Sequence, residues 1–257
     1  MKIGICCGFD RAKLVKDAGY DYVEENFTAL RGLSDSQFDE LKAKYKQLGI
    51  PVLSTNCFFP WSFDLYGENY LERIRDHASV GLKRASELGI KTCVLGSGGA
   101  RKVPEGSTKE QTEEKFVKIL SLLGDLAKPY GISIAIEPLA FHETDVVNFV
   151  SEADRLAKST GKDNVGCLVD FFHFFMNGDT VEGLLASKGT LLHAHVARGN
   201  KDRRPPSDED IPDVIKWANA LKEAGYTGNI SLEASYGDDF DTLVPKTLPY
   251  LTPFKNI

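Results

Sequence analysis

Eight short β-rich runs, each followed by a segment of helical period, predict a closed (β/α)8 barrel for this chain of 257 residues. Two further observations support that class. No linker, composition break or low-complexity segment divides the chain, and its length suits one barrel, so residues 1–257 are expected to form a single domain. An open, doubly wound sheet is the alternative topology.

The first run covers residues 2–6; an amphipathic stretch at 11–17 and a second run at 20–24 complete a βαβ beginning. The next helix is expected over 35–48, with Ser34 as N-cap, Phe38, Leu41 and Tyr45 on one face, and Gly49 closing it. Strand three follows at 51–55, a long helix at 69–88, and strand four at 91–95 before the turn-forming Gly96-Ser97-Gly98-Gly99. Phe116, Ile119, Leu120, Leu123 and Ala127 share the face of a helix that ends before Gly131. The remaining strands are read at 132–136, 165–169, 191–196 and 229–232, separated by helices at 145–158, 181–187 and 211–224.

Hydrophobic residues make up 42% and charged residues 26%, which allows a sizeable core and argues against disorder. The formal charge is -6 with both signs mixed along the chain, so no basic stripe is available for a nucleic-acid backbone. MKIGICCGFD lacks the basic start and apolar run of a signal peptide, and no apolar run reaches membrane-spanning length. The expected location is therefore the cytoplasm, with no membrane or nucleic-acid partner. The five cysteines are odd in number and show no CxxC; they are expected to be reduced and structural.

In a barrel of this class the active site lies where the strands end, because the βα loops converge there. Strand five ends on Glu137, strand six on Asp170, strand seven on His193-Ala-His195 and strand eight on Glu233. A carboxylate placed directly after several apolar residues is costly to bury alone, and a shared cation offsets that cost. Three carboxylates and an imidazole suit Mn2+, Mg2+ or Co2+, and Zn2+ also fits. His193 and His195 face the same side of their strand, and His195, nearer its end, is the expected ligand. Glu24 and Glu25 close strand two, and the sequence does not choose between them. His173, three residues past Asp170, is placed either to touch substrate or to be a solvated loop histidine. Phe58, Phe59, Trp61 and Phe63 after strand three could wall a pocket or pack inside, and Gly96–Arg101 reads as a tight turn or an anion cradle.

These residues resemble the xylose isomerase-like TIM barrel superfamily, closest to its sugar isomerase/epimerase group with the D-tagatose and D-psicose 3-epimerases. The segments that carry it are Ile136-Glu137-Pro138-Leu139 with Glu143, Asp170-Phe-Phe-His173, His193-Ala-His195, Arg203-Arg-Pro-Pro206 and Leu232-Glu233. The resemblance implies that Glu137, Asp170, His195 and Glu233 ligate one divalent metal, usually manganese, and that Glu137 and Glu233 are also the acid/base pair. It further implies substrate contacts from Glu143, His173 and Arg203. Placing Arg203 takes an insertion of about two residues after His195, with Arg198, Lys201 and Arg204 as competitors.

The implied activity is proton transfer through an enediolate on a small sugar or polyol, in a homo-oligomer. Where the epimerases carry an Asn and a basic residue after Glu-x-Leu, this chain has Ala140 and Phe141, which leaves the substrate open. A keto-inositol or polyol dehydratase is the rival enzyme. An apurinic endonuclease would need histidines where this chain has Asn56-Cys57 and Gly96-Ser97. A sugar-binding barrel without catalysis is the remaining class.

Overall fold

A computed structural model describes residues 1–200 and 202–257. Its strands β1 (Ile3–Cys6), β2 (Tyr22–Asn26), β3 (Val52–Asn56), β4 (Thr92–Leu95), β5 (Ser133–Ile136), β6 (Val165–Asp170), β7 (Leu191–Val196) and β8 (Ile230–Leu232) close into a ring in chain order. Each strand is parallel to both neighbours, and β8 returns to β1 with Gly4 opposite Ser231. The expected closed barrel is the observed fold.

The helices expected between strands are present: α1 (Phe9–Asp17), then α3 (Asp35–Leu48) and α4 (Tyr70–Leu88), with α2 (Phe27–Gly32) inserted after β2. Local sequence explains their limits. Ser34 accepts from the Gln37 N–H while Gln37 reaches back to Ser34, and Gly49 ends α3 at φ 71°. Further along lie α5 (Lys109–Ala127), α6 (Val150–Ser159), α7 (Phe171–Met176), α8 (Val181–Ala186), α9 (Ile211–Glu223) and α10 (Phe240–Thr247).

Two differences from the sequence reading have plain causes. The helix expected from residue 145 starts at Val150, because Asn148 spends its side-chain amide on the Leu139 and Thr144 carbonyls and so holds 139–148 as a loop. Glu152 then accepts from the Asn148 and Phe149 N–H groups and starts the helix there. The short helices α2, α7 and α10 were not expected, since six to eight residues give too few turns for periodicity to show.

The main apolar core lies between the ring and its helices, joining residues such as Ile5, Val23, Ile136 and Val169 to Phe116, Leu221 and Phe254. Inside the ring the filling is split. Val94, Ala135 and Leu168, with Leu192 against them, form a small apolar cluster. The polar side chains of Tyr22, Glu24, Ser54, His193 and Ser231 bond to one another across the ring. That polar floor supports the site above it. No described helix is long and apolar enough to cross a membrane.

Candidate metal centre

Glu137 follows β5, Asp170 and His195 lie on β6 and β7, and Glu233 follows β8. One ligand atom from each lies within 4.8 Å of all the others. His195 is fully buried, Asp170 and Glu137 are nearly so, and Glu233 is open to a cavity of about 510 Å³ at the mouth of the barrel. The four side chains expected from the strand ends thus converge at one point.

His195 is held from both sides. Its Nε2 lies 2.9 Å from Glu24 Oε1, while Nδ1 lies 3.1 Å from Glu137 Oε1 and 3.0 Å from Glu233 Oε2. The other Glu24 oxygen is near His193 Nε2 at 2.8 Å and accepts from Ser54 and Ser231 at 2.7 and 2.6 Å. His193 therefore faces the floor and supports Glu24. Of the two acids left open by the sequence, Glu24 enters the ring, whereas Glu25 points outward to the Tyr45 hydroxyl. A bulge between Val23 and Glu24 in the pairing with β3 adjusts the register there.

Burial and charge set the protonation of the cluster. Burial alone would raise Glu24, but His195 and His193 outweigh it and hold that carboxyl well below the usual range. His195 is raised well above its ordinary value: the Glu24 and Glu233 carboxylates overcome a burial that opposes its charge. Burial, followed by the nearby Glu233 charge, lifts Glu137 to about 7. Glu233 goes the other way, because His195 and Arg203 more than offset its desolvation. Two neighbouring carboxylates thus differ sharply in their hold on a proton.

Arg203 stands over the cluster. Its Nη2 donates to Asp170 Oδ2 at 2.7 Å and Glu233 Oε2 at 2.6 Å, and its guanidinium lies 4.9 Å from the centre of the Phe172 ring. Its backbone adopts φ 49° and its carbonyl accepts from the Ser235 N–H. The competitors Arg198 and Arg204 are engaged elsewhere, with Asp210 and with the Tyr236 carbonyl and Asp239. Lys201 lies outside the described residues.

His173 is buried at the pocket wall. Its Nδ1 accepts from the Ala140 N–H at 3.1 Å, which leaves the proton on Nε2; that buried atom makes no hydrogen bond in the protein and lies 3.6 Å from Asp170 Oδ2. Glu143 lines the same cavity, with Oε1 3.6 Å from His173 Nδ1. The aromatic segment after β3 divides: Phe59 and Trp61 line the pocket, while Phe58 is buried and stacks on Phe27 at 4.0 Å. Phe63 packs on Phe59.

Two contributions were not assigned from sequence. Asn56, at the end of β3, donates to Glu233 Oε1 at 2.7 Å and fixes that carboxylate. Gly96 gives the Gly-rich turn its role: a Cβ there would lie 2.3 Å from Glu137 Oε2. Strand-end position was the available signal for Asn56. Arg101, by contrast, is no anion ligand of this cavity; it is fully buried and donates to the Glu137 carbonyl at 2.8 Å.

A buried cluster of three carboxylates and an imidazole that could hold a metal ion lies at the mouth of an eight-stranded parallel barrel, and that fold and cluster define the class of protein. The model of the xylose isomerase-like TIM barrel family matches residues 12–252, and the chain belongs to that family. Within it, the chain belongs with the sugar isomerases and epimerases. An inosose isomerase of Halalkalibacterium halodurans is 30% identical over 247 residues, covering 87% of this chain and 83% of the relative. A D-psicose 3-epimerase of Agrobacterium fabrum is 32% identical over 226 residues, covering 85% and 76%. Among solved structures, the IOLI protein with a bound zinc atom superposes with a TM-score of 0.76 at 22% identity, over 99% of this chain and 96% of that one.

Proposed function

We propose that this chain is a divalent-metal-dependent isomerase or epimerase of a polyhydroxy ketone, built as one domain over residues 1–257, with Glu137 and Glu233 as its proton-transfer pair. The observation that carries the reading is the convergence of Glu137, Asp170, His195 and Glu233 on one point at the floor of a cavity. The donor set suits a divalent ion, with manganese first and Mg2+, Co2+ or Zn2+ as substitutes, and buried carboxylates with divergent proton affinities are what such an ion reconciles. The zinc atom of the IOLI protein and the ketose and inosose named for the relatives lend support to metal and substrate alike.

The proton beside a ketone is too weakly acidic to leave without a base and without help for the charge developing on oxygen. A bound divalent ion would supply that help, worth several kcal/mol in such sites. β5 and β8 stand three strands apart in the ring, so Glu137 and Glu233 enter the pocket from well-separated walls. One takes the proton as a carboxylate and the other returns it as an acid, with return to the opposite face inverting the centre. His173 Nε2–H donates to a substrate oxygen, Glu143 and Arg203 hold others, and Phe59 and Trp61 cover an apolar edge.

The test is exchange of the substrate α-proton with solvent deuterium in the Mn2+-loaded protein, using free ketoses and inososes. Wild type is expected to exchange and to give an isomerised or epimerised product. Glu233→Gln is expected to retain weakened metal binding and lose exchange. Unchanged exchange in that variant removes the proton-transfer role, an unsaturated product assigns a dehydratase, and binding without exchange in wild type assigns a sugar-binding barrel.

A further inference from the structure

We infer that Cys6, Glu24 and His195 form a second cation site inside the ring, which takes a thiophilic divalent ion such as Zn2+ or Cd2+ and, while filled, keeps an ion out of the outer cluster. Cys6 closes β1 and stands opposite Glu24 of β2 in their parallel pairing, and His195 comes from β7. One ligand atom from each of the three lies within 4.8 Å of the other two. Glu24 and His195 are buried and Cys6 is half-buried, so the three meet inside the ring and not on an exposed acidic surface. Cys57 lines the outer cavity and Cys7 follows Cys6 in the chain; neither belongs to this group.

The donors differ in kind from those of the outer cluster. A thiolate, an imidazole and one carboxylate favour Zn2+ or Cd2+, whereas Mn2+ and Mg2+ prefer oxygen. Glu24 Oε2 is committed to Ser54, Ser231 and His193, at 2.7, 2.6 and 2.8 Å, while Oε1 faces His195 Nε2 at 2.9 Å. An ion entering between Oε1, Nε2 and the Cys6 sulfur replaces two protons, one from the thiol and one from Nε2, and both leave to solvent. The thiolate and the carboxylate then balance its two positive charges. Three protein ligands leave the fourth position of a tetrahedral ion to water, which reaches the half-buried Cys6.

His195 makes the two sites exclusive. Its ring has a carboxylate on each side: Glu24 at Nε2, and Glu137 and Glu233 at Nδ1, 3.1 and 3.0 Å away. With an ion on Nδ1, the Nε2–H is given to Glu24; with an ion on Nε2, the Nδ1–H is given to Glu137 or Glu233. Either state is a metal-bound imidazole whose other N–H is held by a carboxylate. A neutral imidazole has one lone pair to give, so it serves one ion at a time. Two ions on one ring would also stand only about 6 Å apart, given metal–nitrogen distances of about 2 Å, and would repel each other. The outer cluster thus holds the working ion, and the inner trio is where a thiophilic ion withdraws His195 from it. That competition rests on the metal reading above; the inner site itself does not.

Cd2+ alone, added to the metal-free protein, tests the site, because a cadmium–thiolate bond has an ultraviolet charge-transfer band that carboxylate and imidazole ligands do not give. The band of one thiolate per chain is expected in wild type, in Cys57→Ser and in Cys7→Ser, and is expected to vanish in Cys6→Ser and Cys6→Ala, with circular dichroism reporting their fold. No band in wild type, a band that survives both Cys6 variants, or one lost in Cys57→Ser or Cys7→Ser overturns the site; the last arm decides even if the Cys6 variants do not fold. Mn2+ is then titrated into protein holding one equivalent of Cd2+, with free Mn2+ followed by electron paramagnetic resonance. It is expected to bleach the band as it binds, with an apparent Kd at least about tenfold above that of the cadmium-free protein. Mn2+ binding that leaves the band intact overturns the sharing of His195. If Mn2+ fails to bind even without Cd2+, the metal reading of the outer cluster falls, while the band and its loss in the Cys6 variants still decide the inner site.

Discussion

Glu24 and His195 form a buried contact of 2.9 Å that turns the imidazole so that Nδ1 faces Glu137 and Glu233. An imidazole whose Nε2–H is given to a carboxylate keeps its Nδ1 lone pair for a metal, and such supporting carboxylates are commonly worth 10- to 100-fold in affinity, as an order of magnitude. Glu24→Gln is therefore expected to weaken Mn2+ binding by about that factor without loss of fold. Calorimetric titration beside circular dichroism checks it, and an unchanged Kd would show that His195 needs no such orientation.

Protonation and metal binding must oppose each other at this cluster. Glu137 is raised to about 7, first by burial and then by Glu233, so between its ordinary value of 4.5 and about 7 the folded metal-free protein binds a proton that the unfolded chain does not. That contribution to stability is complete below the unfolded value and is lost as pH rises through the folded one. Glu233 is lowered, so its contribution lies above 4.5 and is lost on acidification below it. A ligating carboxylate or imidazole must give up its proton, so metal affinity should climb with pH through about 7 and continue to climb above it while the raised His195 is still protonated, by as much as about tenfold per unit for each proton released. The rise in Tm caused by Mn2+, compared at about pH 5.5, 6.5 and 7.5, should grow in that order, and a flat series would show that Glu137 is not displaced by the ion.

The barrel and the four converging side chains were legible because they follow from periodicity and strand ends. Eight apolar runs gave the ring, and Glu137, Asp170, His195 and Glu233 each follow or close one of them. Less visible was anything that depends on a partner distant in sequence. Glu24 and Glu25 are adjacent and chemically alike, and only the register at the β2–β3 bulge, 30 residues from Glu24 to Ser54, sends Glu24 inward. Phe172 and Asn56 act by supporting Arg203 and Glu233, a role that no local pattern encodes.

Gly96 is the residue through which the Gly-rich turn serves the centre. An added methyl would lie 2.3 Å from Glu137 Oε2, closer than any real contact, so Gly96→Ala must push that carboxylate aside. The ring should still close, because the backbone of β4 ends at Leu95. The expected result is loss of most α-proton exchange, about 100-fold or more, with a Tm within a few degrees of wild type. Full exchange in this variant would mean that Glu137 works from a different position.

Arg84 offers a test of stability away from the site. Its Nη1 donates to the carbonyls of Leu30, Arg31 and Leu33 at 2.9, 2.8 and 2.7 Å, tying the end of α2 to α4. Asp35, its carboxylate partner, is fully exposed in its side chain and adds little. Arg84→Met removes the donors and leaves three carbonyls to find water, a cost of about 3 kcal/mol. Urea denaturation should show that loss with metal affinity unchanged; a loss below about 0.5 kcal/mol would mean that water replaces the guanidinium freely.

Arg203 should weaken metal binding even while it serves the substrate. Its Nη2 bridges Asp170 and Glu233, two of the four groups that converge on the proposed metal position. A cation bound there has to share those oxygens with the guanidinium or displace it, and in either case meets a like charge nearby. Removing the guanidinium exposes the carboxylates to one another, so the metal-free Arg203→Met protein should be less stable by about 2 kcal/mol. The same variant should bind Mn2+ about tenfold more tightly, since nothing then competes for Asp170 and Glu233. The two effects have one origin and must appear together. Tighter metal with unaltered metal-free stability would point to long-range repulsion alone, and weaker metal would mean that Arg203 helps to assemble the site by holding Asp170 and Glu233 in place.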